Sequence, residues 1–253
     1  MPGRTLGDAQ VSSEYVASAI QSLYSMSGNK QILLIGHSQG NLNIQWALNY
    51  WPSTRSKVAS YASFSGDFQG TGEGPILAAV QDLAVKGTDP SVIQQSVLLG
   101  QQSNFLKALN KRGNMALVPT TSLYGIEDEI IQPVTTATTL GGGGAAFTRT
   151  SVQAICPLQV VDHFEILINS VAFYLALDAF TYGGAANIAR ASQNYDMCSS
   201  EFAPGISDFA IPDTVSEAFK EAIAAGSEGI GTTGGLLSQR AAVEPPLMSY
   251  ALQ

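Results

Sequence analysis

Charge is scarce in this sequence, and the scarcity excludes more than any motif does. Only 13% of the residues are charged, against about 25% in an ordinary soluble domain, so Ser, Thr, Gln, Asn and Gly must make up much of the surface. Lys and Arg together number 12 and the net charge is −8. That argues against a nucleic-acid partner, whose phosphates need a basic footprint. An anionic membrane surface is a poor match too. Histidine and cysteine are rarer still, two of each. They are not spaced as metal ligands, so no metal site or disulfide scaffold is expected, and no cofactor is implied. From count alone, Cys156 and Cys198 can be two buried thiols or one disulfide. The longest apolar stretch, roughly Ile166 to Leu177, is interrupted by Asn169 and Ser170 and is too short to span a bilayer. The first residues, MPGRTLGDAQ, hold no signal-peptide core, and there is no Asn-x-Ser/Thr sequon.

What the sequence does have is an apolar fraction of 45% over 253 residues, enough for one domain (residues 1–253) with a substantial core. Ser12 to Ser27 reads as a helix, with Val16, Ile20 and Leu23 at helical spacing and Gly28 to stop it. Ile32 to Ile35 is a short unbroken apolar run, expected as a strand buried on both faces. Asn41 to Trp51 is helical and stops at Pro52. Val58 to Phe64, Met115 to Tyr124 and Val152 to Val161 are further strands, and Phe164 to Phe180 is a largely apolar helix. Two or more helices lie between Pro75 and Leu109, and the glycine run Gly141 to Gly144 marks a flexible loop. Thr214 and Glu217 have capping-box spacing ahead of an apolar face that reaches Ile223. Strands alternating with helices define α/β with a mainly parallel sheet.

The sharpest local feature is Gly36-His37-Ser38-Gln39-Gly40. It directly follows a buried strand and directly precedes a helix. A nucleophile elbow needs that context, because a tight strand-to-helix turn lifts a serine hydroxyl clear of the sheet. The flanking glycines are expected to relieve crowding at the turn. The alternative, an ordinary turn serine, does not account for the context. Serine is a weak nucleophile and needs a base. His37 is adjacent, where side chains diverge, so His163 is left as the base by elimination. The third member should be an acid between the two in chain order. Glu127, Asp128 and Glu129 follow a strand side by side, and spacing does not choose among them. Asp162, beside His163, is a fourth candidate whose simpler role is a contact near the surface.

Other stretches carry a resemblance that runs from about Gln10 to Tyr250. They include Ser38-Gln39-Gly40, Gln45-Trp46, Pro52-Ser53 with Arg55-Ser56-Lys57-Val58, and Val118-Pro119-Thr120-Thr121 with Leu123-Tyr124. Asp128-Glu129-Ile130 with Gln132-Pro133, Asp162-His163, Leu247-Met248 and Tyr250 complete the set. In these the sequence resembles the fungal lipase B family, which implies the α/β-hydrolase fold. Position by position, the resemblance makes Ser38 the nucleophile, Asp128 the acid and His163 the base, with the Gln39 N–H in the oxyanion hole. It implies a Cys156–Cys198 disulfide and secretion into an oxidising compartment; a monomer with transient contact at a lipid interface is expected. Asp67, Thr71, Val92, Gln95, Ile130 and Ile131 are expected around a neutral ester or acylglycerol substrate; simple loop packing is the alternative for each.

The sequence also departs from that family in two places. Gly36-His37 stands where the family has Thr-Trp, and the resemblance makes this position the floor of the alcohol side of the pocket. His37 is expected to leave it roomier and more polar. Only 37 residues precede Ser38. The family places further strands there, together with the loop that supplies the other oxyanion donors, so the sequence reads as lacking its N-terminal strands. Losing one such donor lowers turnover by about 10²–10³. A non-catalytic relative that binds lipid or ester is the competing expectation.

Overall fold

The computed structural model describes residues 5–72, 89–111, 114–206 and 243–252, which fold around a parallel sheet. Its strands are β1 (Ile32–His37), β2 (Val58–Phe64), β5 (Thr120–Tyr124) and β6 (Phe147–Ser151). They lie in the order β1-β2-β5-β6, and every neighbouring pair is parallel. A separate antiparallel hairpin is made by β3 (Val97–Leu98) and β4 (Gln101–Gln102).

Parallel strands need crossovers, and the helices that supply them bury both faces of the sheet centre. α1 (Ala9–Met26) and α2 (Gln39–Tyr50) cover one face, setting Ile20, Ile44 and Leu48 among Val58, Tyr61, Phe68 and Val118. The helix Ser170–Tyr182 covers the other, with Val171, Leu175 and Ala179 among Ala62, Phe64 and Leu123. Tyr61 and Ala62 therefore point to opposite faces, as strand geometry requires. Trp46 of α2 stacks on Phe105 with ring centroids 4.3 Å apart, anchoring the helix Asn104–Asn110.

Several boundaries differ from the sequence reading, each for a local reason. α1 begins at Ala9, ahead of the expected Ser12, because Asp8 caps it by accepting from the Gln10 N–H. β1 is not buried on both faces. It is an edge of the sheet among the described residues, and Leu33 and Ile35 are 46% and 58% exposed. Only the alternate side chains, Ile32 and Leu34, reach the core beneath the helices. The strand expected at Val152–Val161 lies earlier, at Phe147–Ser151, where Phe147 and the β-branched Thr148 and Thr150 favour extended backbone. There the Ser151 hydroxyl accepts from the Ala154 N–H and turns the chain into the short helix Val152–Ile155. The strand expected from Met115 starts only at Thr120. The apolar helix expected at Phe164–Phe180 is split by Asn169, whose side chain caps Ser170–Tyr182 from the Val171 and Ala172 N–H groups.

The glycine run is held at its ends, while Gly142 and Gly143 between them are exposed with open space around them. Ala145 donates to the Ala116 carbonyl at 2.7 Å, and a Cβ on Gly144 would overlap that carbonyl. Cys156 and Cys198 form a disulfide with Cα atoms 5.4 Å apart, as the family resemblance implies. The capping-box segment Thr214–Ile223 lies outside the described residues, as do positions 75–88 of the expected Pro75–Leu109 helices.

Candidate active site

The candidate residues gather at the C-terminal ends of the parallel strands. In an open α/β sheet the loops that bind ligands collect at this edge. Ser38 sits between β1 and α2 with φ +52°, a left-handed conformation that a non-glycine residue rarely adopts. Such strain persists only where the surroundings enforce it, and here three contacts do. The Ser38 N–H donates to the Phe64 carbonyl at 3.1 Å. The Asn41 side-chain amide donates to the carbonyls of both Ser38 and Phe64 at 3.0 Å. The Asn41 oxygen in turn accepts from the buried Tyr61 hydroxyl. Gly36 is required beside it, because a Cβ there would overlap the Asn41 side-chain oxygen. Gly40 has no such neighbour, so crowding explains only the first glycine of the pair. Asn41 is a site residue that the sequence reading missed; its signal was a buried amide three residues past the serine, in the first turn of α2.

Asp128 follows β5 and is fully buried. Its Oδ1 accepts from the backbone N–H groups of Ile130 at 3.0 Å and Ile131 at 2.8 Å. His163 Nδ1 lies 3.1 Å from Oδ1 and 2.9 Å from Oδ2, with the imidazole itself 2% exposed. Burial alone would push the Asp128 carboxyl up. The His163 hydrogen bond and charge, with the Ile131 N–H, outweigh it and hold the carboxyl below its ordinary range. The other candidate acids are engaged elsewhere. Exposed Glu127 accepts from the Gln153 side chain, and Glu129 accepts from the His163 backbone N–H at 3.3 Å. Asp162 caps the turn at Phe164 and Glu165.

His37, one residue before Ser38, also meets His163. Its Nε2 is 2.7 Å from the His163 carbonyl, and the two ring centroids are 4.7 Å apart. Burial, then the neighbouring His163 charge, lower the His37 pKa to about 4. Gln39 is the first residue of α2, so its backbone N–H has no intrahelical partner to satisfy.

Of the expected pocket residues, Gln95 and Ile130 are tied together through Thr71. Asp67 is fully buried beyond β2, and neither carboxyl oxygen meets a donor in hydrogen-bonding geometry among the described residues. Thr71 donates its N–H to the Gln95 carbonyl at 2.9 Å and its hydroxyl to the Ile130 carbonyl at 2.6 Å. Val92 is buried on the short helix Pro90–Gln94. Ile131 is wholly buried behind Asp128 and Ile130 partly so. Ile131 therefore fits loop packing better than substrate contact. An open cleft of about 540 Å³ is lined by Gln69, Gly70, Gly72, Gln132 and Pro133 among others. It contains none of the three candidate catalytic residues, so the chemistry is not assigned to it.

A parallel sheet flanked by helices, with a strained serine between strand and helix and a buried acid–histidine pair at the same edge, defines an α/β-hydrolase fold. No family model matches the chain. It is 37% identical over 182 residues to lipase B of Pseudozyma antarctica, covering 70% of this chain and 50% of that protein. Its fold matches the crystal structure of Aspergillus fumigatus lipase B with a TM-score of 0.81 at 30% identity, covering 99% of this chain and 58% of that one. Within the α/β-hydrolases the chain is thus lipase B-like in sequence and in fold, and it spans about half the length of the curated relative it matches.

Proposed function

We propose that the protein is a serine ester hydrolase acting on neutral lipid esters through an acyl-Ser38 intermediate. The observation that carries this reading is the buried Asp128–His163 pair, set at the same C-terminal end of the strands as the elbow that presents Ser38. With Nδ1 engaged by Asp128, His163 keeps Nε2 for the serine proton. His163 removes that proton as the hydroxyl oxygen attacks the ester carbonyl, and Asp128 stabilises the imidazolium. The Gln39 N–H meets the developing oxyanion. His163 then returns the proton to the departing alcohol, and water or a second alcohol releases the acyl group by the reverse steps. The low charge supports a neutral substrate. The disulfide, together with the secreted character the family resemblance implies, supports an oxidising extracellular setting.

Hydrolysis of p-nitrophenyl butyrate and of a long-chain ester, beside Ser38→Ala, tests the reading. Activity in the parent that vanishes in the variant is the expected result. Covalent labelling of Ser38 by a fluorophosphonate separates an enzyme from a binding protein, because labelling needs an activated serine. A folded chain that neither labels nor turns over would replace this reading with that of an ester-binding relative.

A further inference from the structure

The sheet order leaves the two halves of the proposed catalytic machinery unlinked. Ser38 leaves β1 and His163 comes after β6, at opposite edges of the four-stranded order, with β2 and β5 between them. No ladder hydrogen bond can join them directly. Asp128, after β5, ties to His163 through its carboxylate, which joins only β5 to the base. Among the described residues, the elbow is carried across to the base by His37, whose Nε2 reaches the His163 carbonyl over 126 residues of chain.

We infer that His37 is a positioning residue, which holds the base in register with the serine elbow by donating from Nε2 to the His163 main-chain carbonyl. This deepens the proposed function and rests on it. The carbonyl only accepts, so the His37 proton must sit on Nε2 and the lone pair on Nδ1. The ring must also be neutral to be useful. In the proposed cycle His163 becomes a cation, and a second positive charge with ring centroids 4.7 Å away would oppose that step. The groups that act on His37 are His163 and Asp128, and burial together with the His163 charge keeps it neutral down to about pH 4. Phe164 adds an apolar contact at 6.2 Å between centroids. His37 touches no reacting atom in this scheme. It acts through the backbone of His163, fixing where that imidazole stands while a proton moves on and off it. Small displacements matter there, since a misplacement of about 1 Å can lower turnover by about 10²-fold.

Two variants separate the bond from the ring. His37→Phe keeps a ring of similar size and removes the donor. His37→Gln places an N–H at similar reach. With rates expressed per fluorophosphonate-titrated Ser38, His37→Phe should lower kcat about tenfold with KM changed less than about twofold, and His37→Gln should recover most of the loss. Equal kcat in parent and His37→Phe overturns the inference, as does an equal loss in both variants. The bond is also read without turnover, by nitrogen-15 NMR of the two histidine side chains. The expected spectrum shows His37 as the Nε2–H tautomer, with His163 signals displaced in His37→Phe and restored in His37→Gln. An Nδ1–H tautomer at His37 overturns the inference. A parent that fails to hydrolyse or label but gives the expected spectra sinks the proposed function and leaves the tether standing.

Discussion

Two carboxyls are buried at the same corner of this fold, and the structure treats them in opposite ways. Asp128 and Asp67 are both fully buried, at the ends of adjacent strands β5 and β2. Asp128 accepts from two backbone N–H groups and from His163, and its pKa is held below the ordinary value. Asp67 has no such donors, and burial pushes its pKa up to about 7, only partly relieved by its own N–H and the His163 charge. Neither carboxyl reaches solvent, but burial presses harder on Asp67, and only Asp128 has the donors and the His163 charge to outweigh it. The proposed acid of the triad is the carboxyl given donors. The one denied them holds its proton up to about pH 7, and below that it can donate rather than stabilise a cation.

The sharpest way to break that comparison is to remove each charge in turn. Asp128→Asn should lower kcat for ester hydrolysis about 10⁴-fold, because the amide favours the wrong imidazole tautomer. Asp67→Asn mimics the neutral acid already present and should change kcat by only a few-fold below pH 7. Similar losses in the two variants, measured side by side on p-nitrophenyl butyrate, would show that the donors do not distinguish their roles.

Stability against pH should separate the same pair, with opposite signs. Asp128 has a folded pKa below its unfolded one, so its contribution is present above about pH 4 and is lost as pH falls through the folded value. Asp67 has a folded pKa of about 7 against an ordinary 3.8. Its contribution is complete below the ordinary value and is lost as pH rises toward 7. Asp67→Asn should therefore match the parent in urea denaturation near pH 4 and exceed it near pH 8. The gain is up to about 4 kcal/mol at about 1.4 kcal/mol per unit. An equal midpoint at pH 8 would show that the fold does not raise the Asp67 pKa.

These contrasts explain how far the sequence could be read. The elbow was legible because its signal is local: a strand, a serine between glycines, and a helix within a few residues. His163 was legible by elimination, since only one other histidine exists. Asp128 was not, because Glu127, Asp128 and Glu129 differ only in which of them meets the N–H groups of Ile130 and Ile131 and the His163 ring. That choice is tertiary, and only the family resemblance reached it. The neutral state of Asp67 and the bracing by Asn41 are invisible to spacing for the same reason. In the fold, the mainly parallel sheet followed from the alternation of strands and helices, whereas the Val152–Val161 strand failed because a serine cap ends β6 ahead of the apolar residues. β1 failed as a strand buried on both faces because an edge position cannot be read from an apolar run alone.

A smaller effect tests whether His37 governs shape as well as position. His37 in place of the family's Trp is expected to admit bulkier alcohols, so His37→Trp should slow hydrolysis of bulky secondary-alcohol esters a few-fold relative to small ones, about 1 kcal/mol of discrimination. Unchanged relative rates would remove alcohol selection from the roles of this residue.

His37 also supplies the gentlest test of burial as the agent of neutrality, because here burial acts on a base instead of an acid. Desolvation favours the uncharged form in both, so it raises an acid and lowers a base. The His37 pKa falls from 6.5 to about 4, by burial first and the His163 charge second, against the hydrogen bond to the His163 carbonyl and the Asp128 charge. The folded pKa lies below the unfolded one, so between pH 6.5 and pH 4 the unfolded chain binds the proton and the folded chain does not. Stability should fall as pH drops through that window, the reverse of the Asp67 slope across nearly the same range. His37→Phe removes the titration, and its stability relative to the parent should rise by about 2 kcal/mol between pH 7 and pH 4, after allowance for the partial exposure of the ring. Asp67→Asn should lose its advantage over the same interval. Measured together by urea denaturation, the two variants should diverge in opposite directions as pH falls; parallel curves would mean that burial does not set both charges.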